Sequence, residues 1–452
     1  MAWLITRARL QSVTLDEATS YQLFAAPDWA RCWYASSGNH VLNTILVRAS
    51  TQLFGLSELT LRAPALMGAA IYIAAAYGLC VRISSEAAIR IPLFVCLVYS
   101  PFAMDYMIAA RGYGLALGLL LEAVWAMSVS RFATASICVG LSFCANFSFA
   151  YIDAALILLS AVWAFGQTRN WGAAFRCVLP GAVTAGLICG RTLMEWPKGE
   201  LYYGAAGLRE MWESIVSATF DELNPHVMMP ALEPAPLWLG YLIAAVLIWQ
   251  TQRLVWAAQP LGLLLSRALA VALLCHWLAF RIMDVPLPMA RTAIFFVPLA
   301  LLLIGLGAAL PAGSGFSALP RFVSVAALTL CALYSVGCLR LSHFKEWKFD
   351  AEVKETFQVL QNVRPRSMLS DAVIDWRYAD PLNFYRESWH ESGVPEFAWS
   401  EPHVEGKSAY VLYYPTAKDF IRKQSLHVIY RGLVSDVVVA VRRAKPGTSV
   451  SQ

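Results

Sequence analysis

The chain has 452 residues, of which 58% are hydrophobic and only 14% charged, and its mean hydropathy is +0.54. A soluble globular protein carries about 25% charged residues, so the composition excludes an ordinary soluble domain and indicates a polytopic membrane protein. The net charge of +5 comes from basic residues scattered beside apolar runs, which excludes the contiguous basic face of a nucleic-acid binder.

The first ten residues are too short and too charged to span a bilayer. Thr14-Leu15-Asp16-Glu17 follows. Two adjacent carboxylates at a membrane face suit a general base or a ligand clamp, while Thr14-x-x-Glu17 is equally the capping box of a helix N-terminus. An amphipathic helix is expected to about Ala26, then a turn at Pro27-Asp28. Trp29, Trp33 and Tyr34 come next and suit the headgroup level. Ser37-Gly38-Asn39-His40 leads into Val41–Phe54, apolar on one side and interrupted by Asn43, Arg48 and Gln52. That pattern reads as a helix lying in the interface.

Ten membrane spans are predicted, at 62–81, 89–104, 113–130, 132–149, 151–166, 175–192, 237–250, 261–280, 292–310 and 322–339. With Asp16 outside, the inside loops hold Arg82, Arg90, Arg131, Arg169, Arg176, Arg253 and Arg321 against Glu86 alone, as the positive-inside rule requires. Ten spans starting outside also end outside, so the polar region after His343 shares a side with Asp16. A chain whose N-terminus bears Arg7 and Arg9 would then cross with no leading helix, which predicts a further span upstream, eleven in all, and a cytoplasmic N-terminus. The domains expected are an external acidic loop with interfacial helices (1–61), a transmembrane bundle (62–340) and a soluble extracytoplasmic α/β domain (341–452). In the last, 350–362 reads as a helix and 370–374, 410–414 and 437–441 as strands. Within the external loop 194–236, Leu208, Met211, Trp212, Ile215, Val216, Thr219 and Phe220 fall at helical spacing. They predict an interfacial amphipathic helix, either a lid over a lipid or a plain connection.

Nine of the ten cysteines lie in apolar stretches. No CxxC or Cys/His spacing occurs, so they read as small buried residues, and neither a metal nor a cofactor is expected. Four arginines break the charge rule: Arg62, Arg111, Arg281 and Arg291 end spans on the outside. Guanidinium forks suit phosphate oxygens; snorkelling, or pairing with Glu58, Asp105 or Asp284, is the plainer account. Asp105 and Arg111 share one very short loop, and Gly112 before Tyr113 allows close backbone approach. His40 is either a hydrogen-bonded structural histidine or a group that positions an acid or a phosphate. Glu122 reads as buried in mid-span and Asp153 as near an outer end.

These residues resemble a family. The acidic pair is followed by Asn39-His40, then Gly55-Leu56-Ser57-Glu58-Leu59-Thr60-Leu61-Arg62-Ala63-Pro64, then Ala110-Arg111-Gly112-Tyr113, then Pro288-Met289-Ala290-Arg291. Over about residues 12–310 the order and spacing resemble the GT-C glycosyltransferases of the protein-mannosyltransferase and aminoarabinose-transferase-like group, which glycosyltransferase family 39 typifies. The resemblance implies an α-helical GT-C-like bundle in a bacterial plasma membrane. It also implies a polyprenyl-phosphate-linked sugar donor and catalysis on the external face. It leaves the acceptor open among lipid, polysaccharide and protein hydroxyls. Asp16 matches the catalytic acidic position with Glu17 supporting it, and Arg111 and Arg291 match positions near the donor phosphate. His40, Arg62, Asp105 and Tyr113 complete the candidate donor-binding set. Many relatives carry a glutamate two residues before the loop arginine; here that position is Ala109, and Asp105 stands one helical turn earlier. The expected reaction is a single inverting displacement. A transporter or flippase of a lipid-linked sugar would use the same arginines but needs a polar path, for which Glu122 is the one mid-span acid. A non-catalytic scaffold with a capping box at Asp16-Glu17 is the third reading.

Overall fold

The computed structural model describes residues 1–197, 199–220, 235–311 and 318–442. Helices run in chain order as α1 (Ala2–Leu10), α2 (Leu15–Ser20), α3 (Val41–Phe54), α4 (Glu58–Ile83), α5 (Ala87–Tyr99), α6 (Pro101–Tyr106), α7 (Tyr113–Ser128), α8 (Phe132–Ala145) and α9 (Ala150–Thr168). They continue as α10 (Trp171–Met194), α11 (Leu208–Thr219), α12 (Ala235–Trp256), α13 (Pro260–Met283), α14 (Phe296–Ala308) and α15 (Leu319–Gly337). A mixed region follows, with α16 (Val353–Asn362), β1 (Val373–Ile374), α17 (Ala379–Ser388), β2 (Ala409–Tyr413), α18 (Tyr414–Lys423), β3 (His427–Arg431) and β4 (Val437–Val441).

The chain divides into two compact units. One comprises residues 1–5, 29–46 and 62–340; the other comprises residues 6–28, 47–61 and 341–452. Residues 1–61, which the sequence groups as one external segment, thus contribute to both.

In the first unit each of the ten expected spans contains a helix. Among the described residues six segments are long and apolar enough to cross a membrane: α4, 147–168, α10, α13, 290–308 and α15. The apolar helices α5, α7 and α8 are shorter. The span expected at 89–104 is broken. Proline disfavours helical backbone at the preceding residue, so Ser100 adopts φ −53°, ψ 121° and a new helix, α6, starts on Pro101. The bundle is tight because small residues meet: a Cβ on Gly68 or Gly118 would strike the backbone of the facing helix, the close approach by which membrane helices associate without a hydrophobic driving force. All ten cysteines are free, and only Cys275 is not fully buried.

The second unit is built on a four-stranded sheet of order β1-β2-β4-β3. β1 and β2 pair in parallel through a crossover that carries α17, while β4 pairs antiparallel with both β2 and β3. Val373, Tyr410, Leu412, Phe420, Ile421, Val438 and Ala440 form its core. β3, α17 and α18 lie outside the elements expected from sequence. β3 is an edge strand with a bulge between Val428 and Tyr430 and mostly exposed side chains, so it lacks an apolar alternation. The strand expected to reach Tyr414 stops at Tyr413, because Pro415 opens α18. The strand expected at 370–374 shortens to Val373–Ile374, since 366–369 forms a 3-10 turn.

Candidate functional site

In the first unit, the turn at Gly38-Asn39-His40 and the loop between α6 and α7 are locked together. The Asn39 amide donates to the carbonyls of Cys32 (3.0 Å) and Tyr34 (2.8 Å), and accepts from the Thr44 hydroxyl (2.7 Å). Arg111 Nη1 donates to the Gly38 carbonyl at 3.2 Å. Asn43 donates to the Ala110 carbonyl at 3.2 Å and Asn146 to that of Arg111 at 3.4 Å. Gly112 has φ +74°, a left-handed conformation that glycine adopts without cost. A Cβ there would overlap the Ala145 carbonyl oxygen and stand 3.1 Å from His40 Cβ. The glycine therefore both turns the chain and lets it pass.

His40 sits at the centre of this arrangement. It is 5% exposed, and neither ring nitrogen has a hydrogen-bond partner among the described residues. Burial, followed by the positive charges of Arg111 and Arg291, holds its pKa well below the usual histidine value, so the imidazole is neutral. The satisfied structural histidine is not what the structure shows. Tyr113 packs edge-on between His40 (5.6 Å between centroids) and Tyr106 (4.9 Å) and is itself buried, so its ring braces the imidazole.

Arg291 reaches the same place from the far end of the sequence. Its guanidinium lies 4.5 Å from the Tyr203 ring centroid, within cation–π range. It sits in a 3-10 turn, Ala290–Ala293, whose geometry is fixed from outside. The amide of Ala290 donates to Ser214 Oγ on α11 (3.1 Å), and Ala205 and Leu287 exchange backbone hydrogen bonds of 2.7 and 3.0 Å. The amphipathic helix expected near 208–220 is α11. It buries Met211 and Val216, although Leu208, expected on the same face, is exposed at the helix start. The rest of that loop, 221–234, lies outside the described residues. Beneath α11 an apolar groove of about 460 Å³ runs between α12, α13 and α14.

Asp105 is buried and its carboxylate lies 3.4 Å from Arg340, itself only 11% exposed. Arg62 is fully buried in the second turn of α4. Arg281 is exposed near the end of α13. Glu122, read as buried, is half-buried, while Asp153 is buried in the first turn of α9.

Asp16 and Glu17 belong to the second unit and are treated differently by it. Both halves of the capping box are present: Thr14 Oγ1 accepts from the Glu17 amide at 3.2 Å, and Glu17 accepts from the Thr14 amide at 2.9 Å. Glu17 is 1% exposed, whereas Asp16 is half-buried at the next position. The segment is clamped by the C-terminal region. Leu15 N–H donates to Asp350 Oδ2 at 2.7 Å, Val13 N–H to the Tyr385 hydroxyl at 2.9 Å, and Ser12 Oγ to the Ala351 carbonyl at 3.0 Å. Asp350 is fully buried, and its second oxygen has no hydrogen-bond partner among the described residues. Burial pushes its carboxyl well above the usual range; the Leu15 amide opposes this, and the nearby Asp16 and Glu17 add to it.

Arg340, Tyr203 and Asp350 escaped sequence reasoning. For Arg340 the signal was available, because it is a further arginine on the outside end of a span. Tyr203 and Asp350 carry no pattern that marks them. Among the described residues no group of His, Cys, Asp and Glu is arranged to hold a metal.

No protein-family model matches the chain, and no curated protein sequence does. Solved structures do. The fold is similar to ArnT from Cupriavidus metallidurans in the apo state, with TM-score 0.53, 13% identity, and coverage of 97% of this chain and 95% of that one. It is likewise similar to the same protein bound to undecaprenyl phosphate, with TM-score 0.54, 13% identity, and coverage of 98% and 96%. The chain is a multi-pass membrane protein with the fold of ArnT and a small α/β C-terminal region.

Proposed function

We propose that the protein is a glycosyltransferase of the bacterial plasma membrane that moves a sugar from a polyprenyl-phosphate-linked donor to a hydroxyl of an envelope lipid, polysaccharide or protein. The observation that carries this reading is the convergence of Arg111 and Arg291 on the buried, neutral His40 in a chain with the fold of ArnT, which has been solved with undecaprenyl phosphate bound. Two guanidiniums in a site of low dielectric stabilise negative charge as it grows on a leaving phosphate. An uncharged imidazole with both nitrogens free has a hydrogen bond to offer a phosphate or sugar oxygen without adding a third positive charge. The groove beneath α11 takes the polyprenyl tail, and α11 acts as its cover.

In the reaction, Asp16 accepts the proton of the acceptor hydroxyl as that oxygen attacks the anomeric carbon. The bond from that carbon to the phosphate oxygen breaks, the lipid phosphate leaves with the electron pair, and the configuration inverts. Glu17 is committed to the capping box, which leaves Asp16 as the base. Asp105, neutralised by Arg340, holds Arg340 rather than serving as a second base, and Arg62 is a buried support for the donor side. On the orientation that the basic residues favour, the site and the C-terminal region face outward, and that region's role is to hold the acidic loop.

The test is binding of undecaprenyl phosphate to the purified protein in lipid nanodiscs. Arg111→Gln and Arg291→Gln should each weaken binding at least tenfold, equivalent to about 1.4 kcal/mol. Unchanged binding in both folded variants would remove the phosphate site and with it the transferase reading.

A further inference from the structure

At the other end of the first unit lies a second cavity, of about 860 Å³, lined by α4, α7, α9, α13 and α14. It gathers the C-terminal ends of α4, α7, α9 and α14 and the start of α13. Because successive spans alternate in direction, this end is opposite the loop that holds Arg111. Its walls are mixed: Leu159, Trp163 and Leu264 lie alongside Ser128, Ser160, Gln167 and Gln259, and two arginines line it from different helices, Arg82 on α4 and Arg267 on α13.

Two features set these arginines apart from ordinary loop charges. Arg267 is the eighth residue of α13, about 10 Å along the helix at 1.5 Å per residue, so it lies within the apolar length of a span. Neither arginine has an acidic partner among the described residues. The segments that bound this end (82–90, 129–132, 167–176, 253–267 and 308–321) contain eight arginines and a single acid, Glu86, and Glu86 is bonded to Arg321. A cation without an acidic partner within the apolar length of a span, as at Arg267, is costly, and a bound anion would offset that cost.

We propose that this cavity is a binding site for an anionic glycerophospholipid, with the headgroup phosphate held between Arg82 and Arg267 and the acyl chains against the leucine and tryptophan walls. Basic pockets between membrane helices on the cytoplasmic side recognise such headgroups, and the arginine fork suits phosphate oxygens. The leucine and tryptophan part of the lining favours a lipid over a soluble phosphate, which would leave those side chains wetted. The site is separate from the proposed catalytic one and does not depend on it.

The experiment is native mass spectrometry of the full chain, released from nanodiscs containing equal phosphatidylglycerol and phosphatidylcholine. Wild type should retain phosphatidylglycerol at least fivefold over phosphatidylcholine. Arg82→Gln with Arg267→Gln should bring the ratio to near unity, while Arg169→Gln, outside the cavity at the same end, should leave it unchanged. Inorganic phosphate added at millimolar concentration should not displace the lipid. Equal retention of the two lipids by wild type, an unchanged ratio in the double variant, or displacement by inorganic phosphate would overturn the proposal. A second measurement uses no arginine variant. Brominated phosphatidylglycerol should quench wild-type tryptophan fluorescence more than brominated phosphatidylcholine does, and Trp163→Phe should remove that excess. An excess that persists in Trp163→Phe would place the lipid elsewhere.

Discussion

Replacing Gly112 with alanine isolates the packing on which the candidate site rests. Two costs are expected. A left-handed residue bearing a Cβ loses about 1–2 kcal/mol, of which about 0.4–1 kcal/mol is returned because alanine restricts the unfolded chain. The Cβ would also overlap the Ala145 carbonyl oxygen, which is backbone and cannot rotate away; forcing a shift of that kind costs about 1–3 kcal/mol. Gly199 supplies the control within the same unit, because its φ is +83° but nothing lies within 4 Å of its Cβ position. Gly199→Ala should therefore carry only the first cost, and Gly112→Ala should be less stable than it by about 1–3 kcal/mol. Unfolding of the detergent-solubilised protein, followed by tryptophan fluorescence, measures the difference. Equal stability of the two variants would refute the argument that Gly112 lets the Arg111 loop pass α8. The strain also falls on His40 Cβ, 3.1 Å away, so undecaprenyl phosphate binding should weaken in Gly112→Ala and not in Gly199→Ala.

Other outcomes follow from the same geometry. Asp350 binds its proton more tightly in the folded state than in the unfolded one. Between the unfolded pKa near 3.9 and the raised folded value, stability therefore falls as pH rises, and it is fully present only below that window. Asp350→Asn still accepts from Leu15 and should flatten the slope and raise stability at pH 7–8; an unchanged pH profile would contradict the burial argument. Asp105→Asn strips the buried Arg340 of a carboxylate and should cost about 3 kcal/mol. A double-mutant cycle with Arg340→Gln should show coupling of at least about 1 kcal/mol, where strict additivity would dissolve the pair. Thr14→Ala should destabilise by about 1 kcal/mol, whereas Glu17→Gln should be near neutral because glutamine also serves the third position of a capping box. Equal losses in those two variants would place Glu17 outside the box.

What the sequence disclosed depended on how local the signal was. The apolar helices of the first unit follow from apolar length, and the helix α11 from the spacing of Met211, Ile215 and Phe220, both of which are properties of contiguous sequence. The break at Ser100-Pro101 was equally local, yet it was hidden because apolar composition runs through it unchanged. Arg111 and Arg291 stood out because they oppose the charge bias of their loops. Arg340 does the same, yet it sits where hydropathy falls and the polar region begins. The partition of Asp16 and Glu17 was written in Thr14-x-x-Glu17, but only the hydrogen bonds of both halves decide between a capping box and a free acid pair. Asp350 and Tyr385 act on that segment from more than 330 residues away, a separation at which no spacing rule operates. β3 was missed because an exposed, bulged edge strand presents no alternation.

The most direct measurement of the central claim compares a strain lacking the gene with strains restored by wild type or by Asp16→Asn, reading envelope glycans and the polyprenyl-phosphate-sugar pool by mass spectrometry. The account predicts that the asparagine variant is made stably and behaves like the deletion, with one sugar missing from an envelope glycan and its lipid-linked donor accumulating. Full restoration of the glycan by Asp16→Asn would contradict it, since a scaffold or a transporter tolerates that change and a transferase with Asp16 as base does not.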